Sequence, residues 1–184
     1  MQIIKTTLLA ISLSLLFISC GGDEDDNNMN LTGLEGEWTA IEFSATTTTN
    51  SAGQVINAQI EATTLDYCLT LQDGEFQTNG SYILSTDATT SGIAIPTQTS
   101  NFDNVEGSGT YTDNGTSLEI DGSFFEIDVN GMSITEVSNG PQTAEYSIDG
   151  NGNLIIVQNE SISEVVQGIM LTVDVQSSST WERK

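Results

Sequence analysis

The chain has 184 residues, enough for a short leader and one domain of ~150 residues with a real core. Its 26 acidic residues stand against three basic ones, Lys5, Arg183 and Lys184, which gives a net charge of −23. This balance argues strongly against nucleic-acid binding and against docking on anionic lipid, because both need clustered Lys and Arg.

Residues 1–19 have the pattern of an export signal. Lys5 precedes an apolar stretch from Leu8 to Ile18, about half the ~20 residues that a membrane-spanning helix needs. Ser19 followed by Cys20 resembles the lipobox of bacterial lipoproteins. The resemblance implies that the Cys20 thiol carries diacylglycerol, that the leader is removed before it, and that the lipid anchors the protein in a membrane. An ordinary signal peptide with an incidental cysteine is the alternative.

Residues 20–30 contain the acidic run GGDEDDNN, whose charge and glycines predict a flexible, solvated tether. The run resembles the acidic export signal behind the lipidated cysteine of Bacteroidota surface lipoproteins. That resemblance implies an outer-membrane anchor with the domain exposed on the cell surface. If the run is only a spacer, a periplasm-facing protein is the alternative.

Residues 31–184 form the predicted domain, and its first strand carries the motif Gly36-Glu37-Trp38. This motif resembles the G-x-W sequence that opens lipocalin-like barrels, and Thr180 to Arg183 resemble the end of such a domain. The resemblance implies a barrel whose closed end is covered by Arg183 in a cation–π contact with Trp38. Plain core packing of Trp38 is the alternative interpretation.

Two Thr- and Ser-rich segments, residues 44–59 and 85–104, interrupt the strand pattern. They predict long loops at the mouth of the barrel, where binding usually resides, and disordered decoration is the alternative. Between them lies an alternating strand, residues 65–71, with Cys68 on its polar face. If Cys20 is lipidated, Cys68 has no other cysteine to pair with.

Seven of the eight Asp-Gly and Asn-Gly pairs predict hairpin turns. They lie at 73–74, 79–80, 114–115, 121–122, 130–131, 139–140 and 149–150. Period-two stripes lie between the turns, at Phe125 to Val129, Ala144 to Ile148 and Ile169 to Val175. Residues 159–166 are the one stretch that could form a helical turn. The turns and stripes predict an all-β antiparallel meander, and the resemblance to lipocalin-like domains implies that it closes as a β-barrel of about eight to ten strands. A β-sandwich is the alternative.

One loop has spacing that resembles a calcium site. Asp149, Asn151, Asn153 and Glu160 occupy positions 1, 3, 5 and 12 of an EF-hand-like loop, but Leu154 stands where the loop needs glycine. A plain hairpin turn is the favoured interpretation, so these four residues are only a weak metal candidate.

The sequence does not predict an enzyme. It contains no histidine, no G-x-S-x-G elbow and no phosphate-binding glycine loop, and no cofactor is expected. With no Lys or Arg between residues 31 and 182, the barrel is expected to bind a small neutral or cationic, mainly apolar ligand. The alternative is a non-enzymatic interaction or structural module with a filled barrel, whose mouth loops bind protein, glycan or calcium.

Overall fold

A computed structural model describes residues 33–129, 132–133, 141–166 and 169–184. These residues form an all-β structure, as predicted. The strands are β1 Gly36–Ser51, β2 Gln54–Gln72, β3 Glu75–Thr90, β4 Ile93–Asp113, β5 Ser117–Asp121, β6 Asp128–Val129, β7 Met132–Ser133, β8 Gln142–Ile148, β9 Leu154–Val166 and β10 Ile169–Arg183.

Eight of these strands close into a ring in the order β1-β10-β9-β8-β5-β4-β3-β2, and β6 pairs with β7 separately. Every neighbouring pair is antiparallel, and the first and last strands join, with Trp38 opposite Arg183. The closure satisfies the hydrogen-bonding groups that free edge strands would expose.

Alternation places one face of each strand inside the ring. In β10, Leu171, Val173 and Val175 are buried, whereas Met170 and Asp174 between them are exposed. The predicted stripe over this segment is confirmed. The same period of two explains why threonines such as Thr47 and Thr49 are buried on the inner face of β1.

The two segments predicted as loops are strands instead. Residues 44–59 and 85–104 lie almost entirely in β1, β2, β3 and β4, which turn tightly at Ala52-Gly53 and Ser91-Gly92. Thr is β-branched and favours extended backbone, and all four turn residues have positive φ, as two-residue hairpin turns require. The prediction of mouth loops is therefore wrong, because Ala-Gly and Ser-Gly are weaker turn signals than Asn-Gly.

The Asp-Gly and Asn-Gly prediction is partly confirmed. Asp73-Gly74, with φ of 53° and 80°, turns β2 into β3. Asn79-Gly80 does not turn but lies inside β3, next to an irregularity in its register with β4. A side chain on Gly80, whose φ is 128°, would overlap the Asp66 carbonyl oxygen, so this glycine permits close approach of two strands. The pairs at 130–131 and 139–140 lie outside the described residues.

Two further local predictions are wrong. Residues 159–166 continue β9 and form no helical turn. Phe125 and Ile127 lie outside regular strand, and consecutive Phe124 and Phe125 are both buried. A strand would place those neighbours on opposite faces, so this segment must be enclosed on more than one side.

Candidate functional site

The ring has two different ends. The turns β2–β3, β4–β5 and β8–β9 lie at one end with the start of β1 and the end of β10, and we call this the closed end. The hairpins β1–β2, β3–β4 and β9–β10 project at the other, which we call the mouth. The closed end is packed with side chains that are at most 1% exposed: Trp38, Leu69, Leu71, Leu118, Ile120, Leu154 and Trp181.

At the closed end the structure brings Trp38 and Arg183 together. The guanidinium carbon of Arg183 lies 4.8 Å from the centroid of the Trp38 ring. The Nη2 atom of Arg183 donates to the carbonyl oxygens of Gly33, at 2.5 Å, and Glu35, at 2.7 Å. Trp38 Nε1 donates to the Leu34 carbonyl oxygen at 3.0 Å. Arg183 therefore ties the start of the domain to its last strand.

The interior beyond the closed end is filled by residues 122–127, which follow β5 and which we call the plug. Its central ring, Phe125, contacts aromatic rings from four strands. The centroid distances are 4.2 Å to Phe43, 5.1 Å to Tyr67, 5.3 Å to Tyr82 and 5.3 Å to Trp181. Because those strands lie side by side around the ring, Phe125 occupies space inside it.

Hydrogen bonds to Tyr82 fix the plug in place. The Tyr82 hydroxyl donates to the Glu126 carbonyl oxygen at 3.0 Å and accepts from the Glu126 amide at 2.8 Å. Burial raises the pKa of Tyr82 far above its usual value, so the hydroxyl stays protonated and can serve as this donor. The plug is thus held by both ring packing and hydrogen bonds.

A small cavity of about 40 Å³ remains beside the plug. Aromatic Phe43 and Phe125 line it together with polar Gln158 and Glu160 of β9. Burial raises the pKa of the Glu160 carboxyl above its usual range. This residue is one of the four calcium candidates, and it faces the interior.

The other calcium candidates lie elsewhere. One Asp149 carboxylate oxygen accepts from the amides of Asn151, at 2.7 Å, and Asn153, at 2.9 Å. These bonds, above all that from the Asn153 backbone, lower the Asp149 pKa. Glu160 follows Asn153 by seven strand residues, roughly 20 Å along β9. The four residues therefore do not meet, and no described group of His, Cys, Asp or Glu could hold a metal ion.

A larger cleft, of about 570 Å³, lies along the mouth-side halves of β1 to β4. All of its lining residues come from segments 44–59 and 85–104. Its lining is mainly hydroxyl and amide groups with some small apolar side chains: Thr46, Thr47, Thr48, Asn57, Ala58, Gln59, Asp87, Ala88, Thr89, Ala94, Ile95 and Thr97. Cross-strand hydrogen bonds order part of it, from Thr48 to Asn57 at 3.1 Å and from Thr97 to Asp87 at 2.5 Å.

Cys68 is 7% exposed and is disulfide-bonded in the structure. The chain has one other cysteine, Cys20, which lies outside the described residues. A disulfide that joined Cys68 to Cys20 would exclude a lipid thioether at Cys20, because the Cys20 sulfur cannot carry both bonds. The expectation that Cys68 has no partner holds only where Cys20 is lipidated.

Sequence reasoning missed two of these features. The EF-hand-like spacing predicts only a loop-ligand role for Glu160. Alternation along β9 from buried Leu154 and Ile156 nevertheless places Gln158 and Glu160 on the inner face. The plug gave no such signal, since adjacent Phe124 and Phe125 fit neither a strand nor a helix pattern. Its position depends on contacts with residues far away in sequence.

Comparison with known proteins did not identify a family for this chain. No protein-family model, no curated protein and no solved structure matches this chain. Within the described part of the chain, no helix is long and apolar enough to cross a membrane.

Proposed function

We propose that this protein is a lipoprotein anchored at Cys20 in the outer membrane, whose domain catalyses no reaction and binds a neutral, hydroxyl-rich ligand at the cell surface. A glycan is the ligand class that best fits the cleft. The leader, the cysteine after Ser19 and the acidic run support the anchor. The cleft between the two long hairpins supports the binding role, and it is the observation on which the function depends.

The direction of the chain supports the use of the mouth as the recognition end. Residue 33 lies at the closed end, against Arg183. Residues 20–32 could span at most about 45 Å to a lipid at Cys20. The closed end would therefore face the membrane and the mouth would point away from it. Two mouth hairpins also carry strongly exposed apolar residues, Ile93 at 70% and Met170 at 67%.

The chemistry of the cleft favours a neutral ligand. Threonine hydroxyls and the amides of Asn57 and Gln59 both donate and accept, which matches sugar hydroxyls. Asp87 is the one charged side chain in the lining, so an anionic ligand would find no counter-charge. A volume of about 570 Å³ lies within the ~300–1,000 Å³ of ordinary ligand sites.

The filled interior disfavours the competing function, which is carriage of an apolar ligand inside the ring. Phe125 and its four aromatic neighbours occupy the space that such a ligand would need. The cavity of about 40 Å³ beside the plug is room for only two or three water molecules. A fatty-acid-sized ligand would have to displace the whole plug.

Binding is tested by titrating the purified protein with neutral, sulfated and sialylated oligosaccharides. We expect saturable binding of a neutral glycan, weakened at least tenfold by Asn57→Ala in the cleft. Asn159→Ala, on the exposed face of β9, is the matched control and should bind as wild type does. Preference for the sulfated or sialylated panel, or equal binding by both variants, would exclude the cleft as proposed.

The anchor is tested by intact-mass measurement together with thiol labelling of the unfolded protein. A lipoprotein gains the mass of a diacylglyceryl group, and after reduction only one thiol reacts with the reagent, because the thioether at Cys20 cannot be reduced. An unlipidated protein shows no added lipid mass and has two reactive thiols after reduction. That second result would contradict the anchor.

Surface exposure needs a protease other than trypsin, because no Lys or Arg lies between residues 6 and 182. Proteinase K added to intact cells should degrade a domain on the outer face. A periplasm-facing domain would survive until the outer membrane is permeabilised.

A further inference from the structure

The 40 Å³ cavity contains one carboxylate, that of Glu160. On β9 this residue follows the buried inward-facing Leu154 and Ile156 at even spacing, and its cross-strand partner Val175 is also buried. Its carboxylate therefore points into the ring. Burial raises the pKa of this carboxyl, and within the described parts of the chain no hydrogen bond or charged group counteracts that rise.

Neither cation of the described residues, Arg183 or Lys184, lines this cavity. Arg183 is committed at the closed end, where it contacts Trp38 and two carbonyl oxygens. Lys184 is exposed beyond the last strand, and Lys5 lies outside the described residues. Glu160 is half-buried, and half-burial without a partner disfavours the charged form of its carboxyl, a penalty that a proton or a bound cation would relieve.

The cavity lining indicates which cation fits. Gln158 and Gln142 supply amide groups, joined by a hydrogen bond from Gln158 Nε2 to Gln142 Oε1 at 3.2 Å, and Ser177 supplies a hydroxyl. Phe43 and Phe125 add aromatic rings. A calcium ion needs six to eight oxygen ligands and usually several carboxylates. An ammonium group fits this lining better. It has only three N–H donors, which one carboxylate and a few neutral oxygens can accept, and its charge interacts favourably with the face of an aromatic ring.

We propose that the Glu160 cavity binds the ammonium group of a small primary amine. The carboxylate supplies the counter-charge, amide and hydroxyl oxygens accept the remaining N–H donors, and an aromatic ring covers the apolar side. The volume limits the bound group to about the size of methylammonium, since larger quaternary ammonium ions exceed two or three water volumes. This site is separate from the cleft between the hairpins and does not depend on glycan binding.

The proposal is tested by nuclear magnetic resonance titration of the purified protein with methylammonium chloride. Sodium chloride and tetramethylammonium chloride at equal ionic strength are the ligand controls. Glu160→Gln removes the carboxylate, and Glu145→Gln removes an equal charge from the exposed face of neighbouring β8. Circular dichroism and melting curves establish that both variants fold.

We expect saturable shifts for methylammonium at residues around the cavity, in particular Phe125, Gln158 and Ser177. Binding should weaken at least tenfold in Glu160→Gln and stay unchanged in Glu145→Gln. Equal shifts from all three salts, or equal affinity in wild type and Glu160→Gln, would overturn the proposal. Shifts located only at the outer acidic face would also overturn it.

Discussion

Replacing Arg183 with Ala should destabilise the domain by about 2 kcal/mol. The change removes the two hydrogen bonds that its guanidinium donates to the carbonyl oxygens of Gly33 and Glu35, and the contact with Trp38 at 4.8 Å. Each hydrogen bond contributes about 0.5–1.5 kcal/mol net. The cation–π contact adds about 0.5–1 kcal/mol at a partly exposed position. Because the three contacts share one side chain, they do not add fully.

Urea unfolding followed by tryptophan fluorescence measures this change, and thermal melting gives an independent value. For a domain of this size, 1 kcal/mol corresponds to about 2–4 °C, so the melting temperature should fall by about 4–8 °C. The denaturant slope should stay constant, since the same surface is exposed on unfolding. Arg183→Lys keeps the charge but not the planar fork, and it should recover less than half of the loss.

The matched control is Lys184→Ala, which removes one positive charge at the neighbouring position. Lys184 is exposed, and its backbone amide donates a hydrogen bond to the Glu37 carbonyl oxygen, which the substitution keeps. It should cost under about 0.5 kcal/mol. Equal effects of the two alanine substitutions would refute the reasoning, because only net charge would then matter.

Three further predictions concern individual residues of the ring. Glu160→Gln should stabilise the protein at pH 7. Burial raises the folded-state pKa of Glu160, so the wild-type protein loses stability as pH rises through that pKa. The stability gained by the substitution should therefore shrink towards zero near pH 4. Urea unfolding at pH 4 and at pH 7 measures this change. Asp149→Ala should lower the melting temperature at pH 7 and remove part of the acid sensitivity. The hydrogen bonds from Asn153 lower the pKa of Asp149, so the stability that its carboxylate contributes is present above the unfolded-state pKa and is lost as pH falls through the folded-state pKa. A melting profile that the substitution leaves unchanged between pH 2 and 7 would contradict this. Gly80→Ala should lower the free energy of unfolding by at least about 3 kcal/mol in urea titrations, because it combines an unfavourable φ of 128° with overlap of the new Cβ and the Asp66 carbonyl oxygen. Gly150→Ala is the control: the space around its Cβ position is open, so it should cost under about 1 kcal/mol.

The strand pattern could be predicted because burial alternates so regularly in this chain. Leu171, Val173 and Val175 face the interior for the reason that the sequence indicates, and Asp73-Gly74 turns as its residue types require. The hairpin extensions were missed because Thr- and Ser-rich segments resemble loops in composition. Their extended backbone is fixed by cross-strand pairing, such as Thr48 with Asn57, which a single sequence does not display.

The candidate sites were harder to predict than the strands. The cleft needs the β1–β2 and β3–β4 hairpins to lie side by side, which depends on the pairing of β2 with β3. The plug needs Phe125 to reach Phe43 and Trp181, which are 82 and 56 residues away in sequence. Such contacts follow from closure of the whole ring, and no local pattern around Phe125 reports them.

A ring filled by its own chain should exclude large apolar ligands from its interior. Titration of wild type and Phe125→Ala with an apolar fluorescent ligand tests this exclusion. Phe125 is 6% exposed, and its truncation should cost about 3–5 kcal/mol and open a dry cavity. We predict no saturable binding by wild type and saturable binding by folded Phe125→Ala. Tight, saturable binding by wild type would contradict a filled interior.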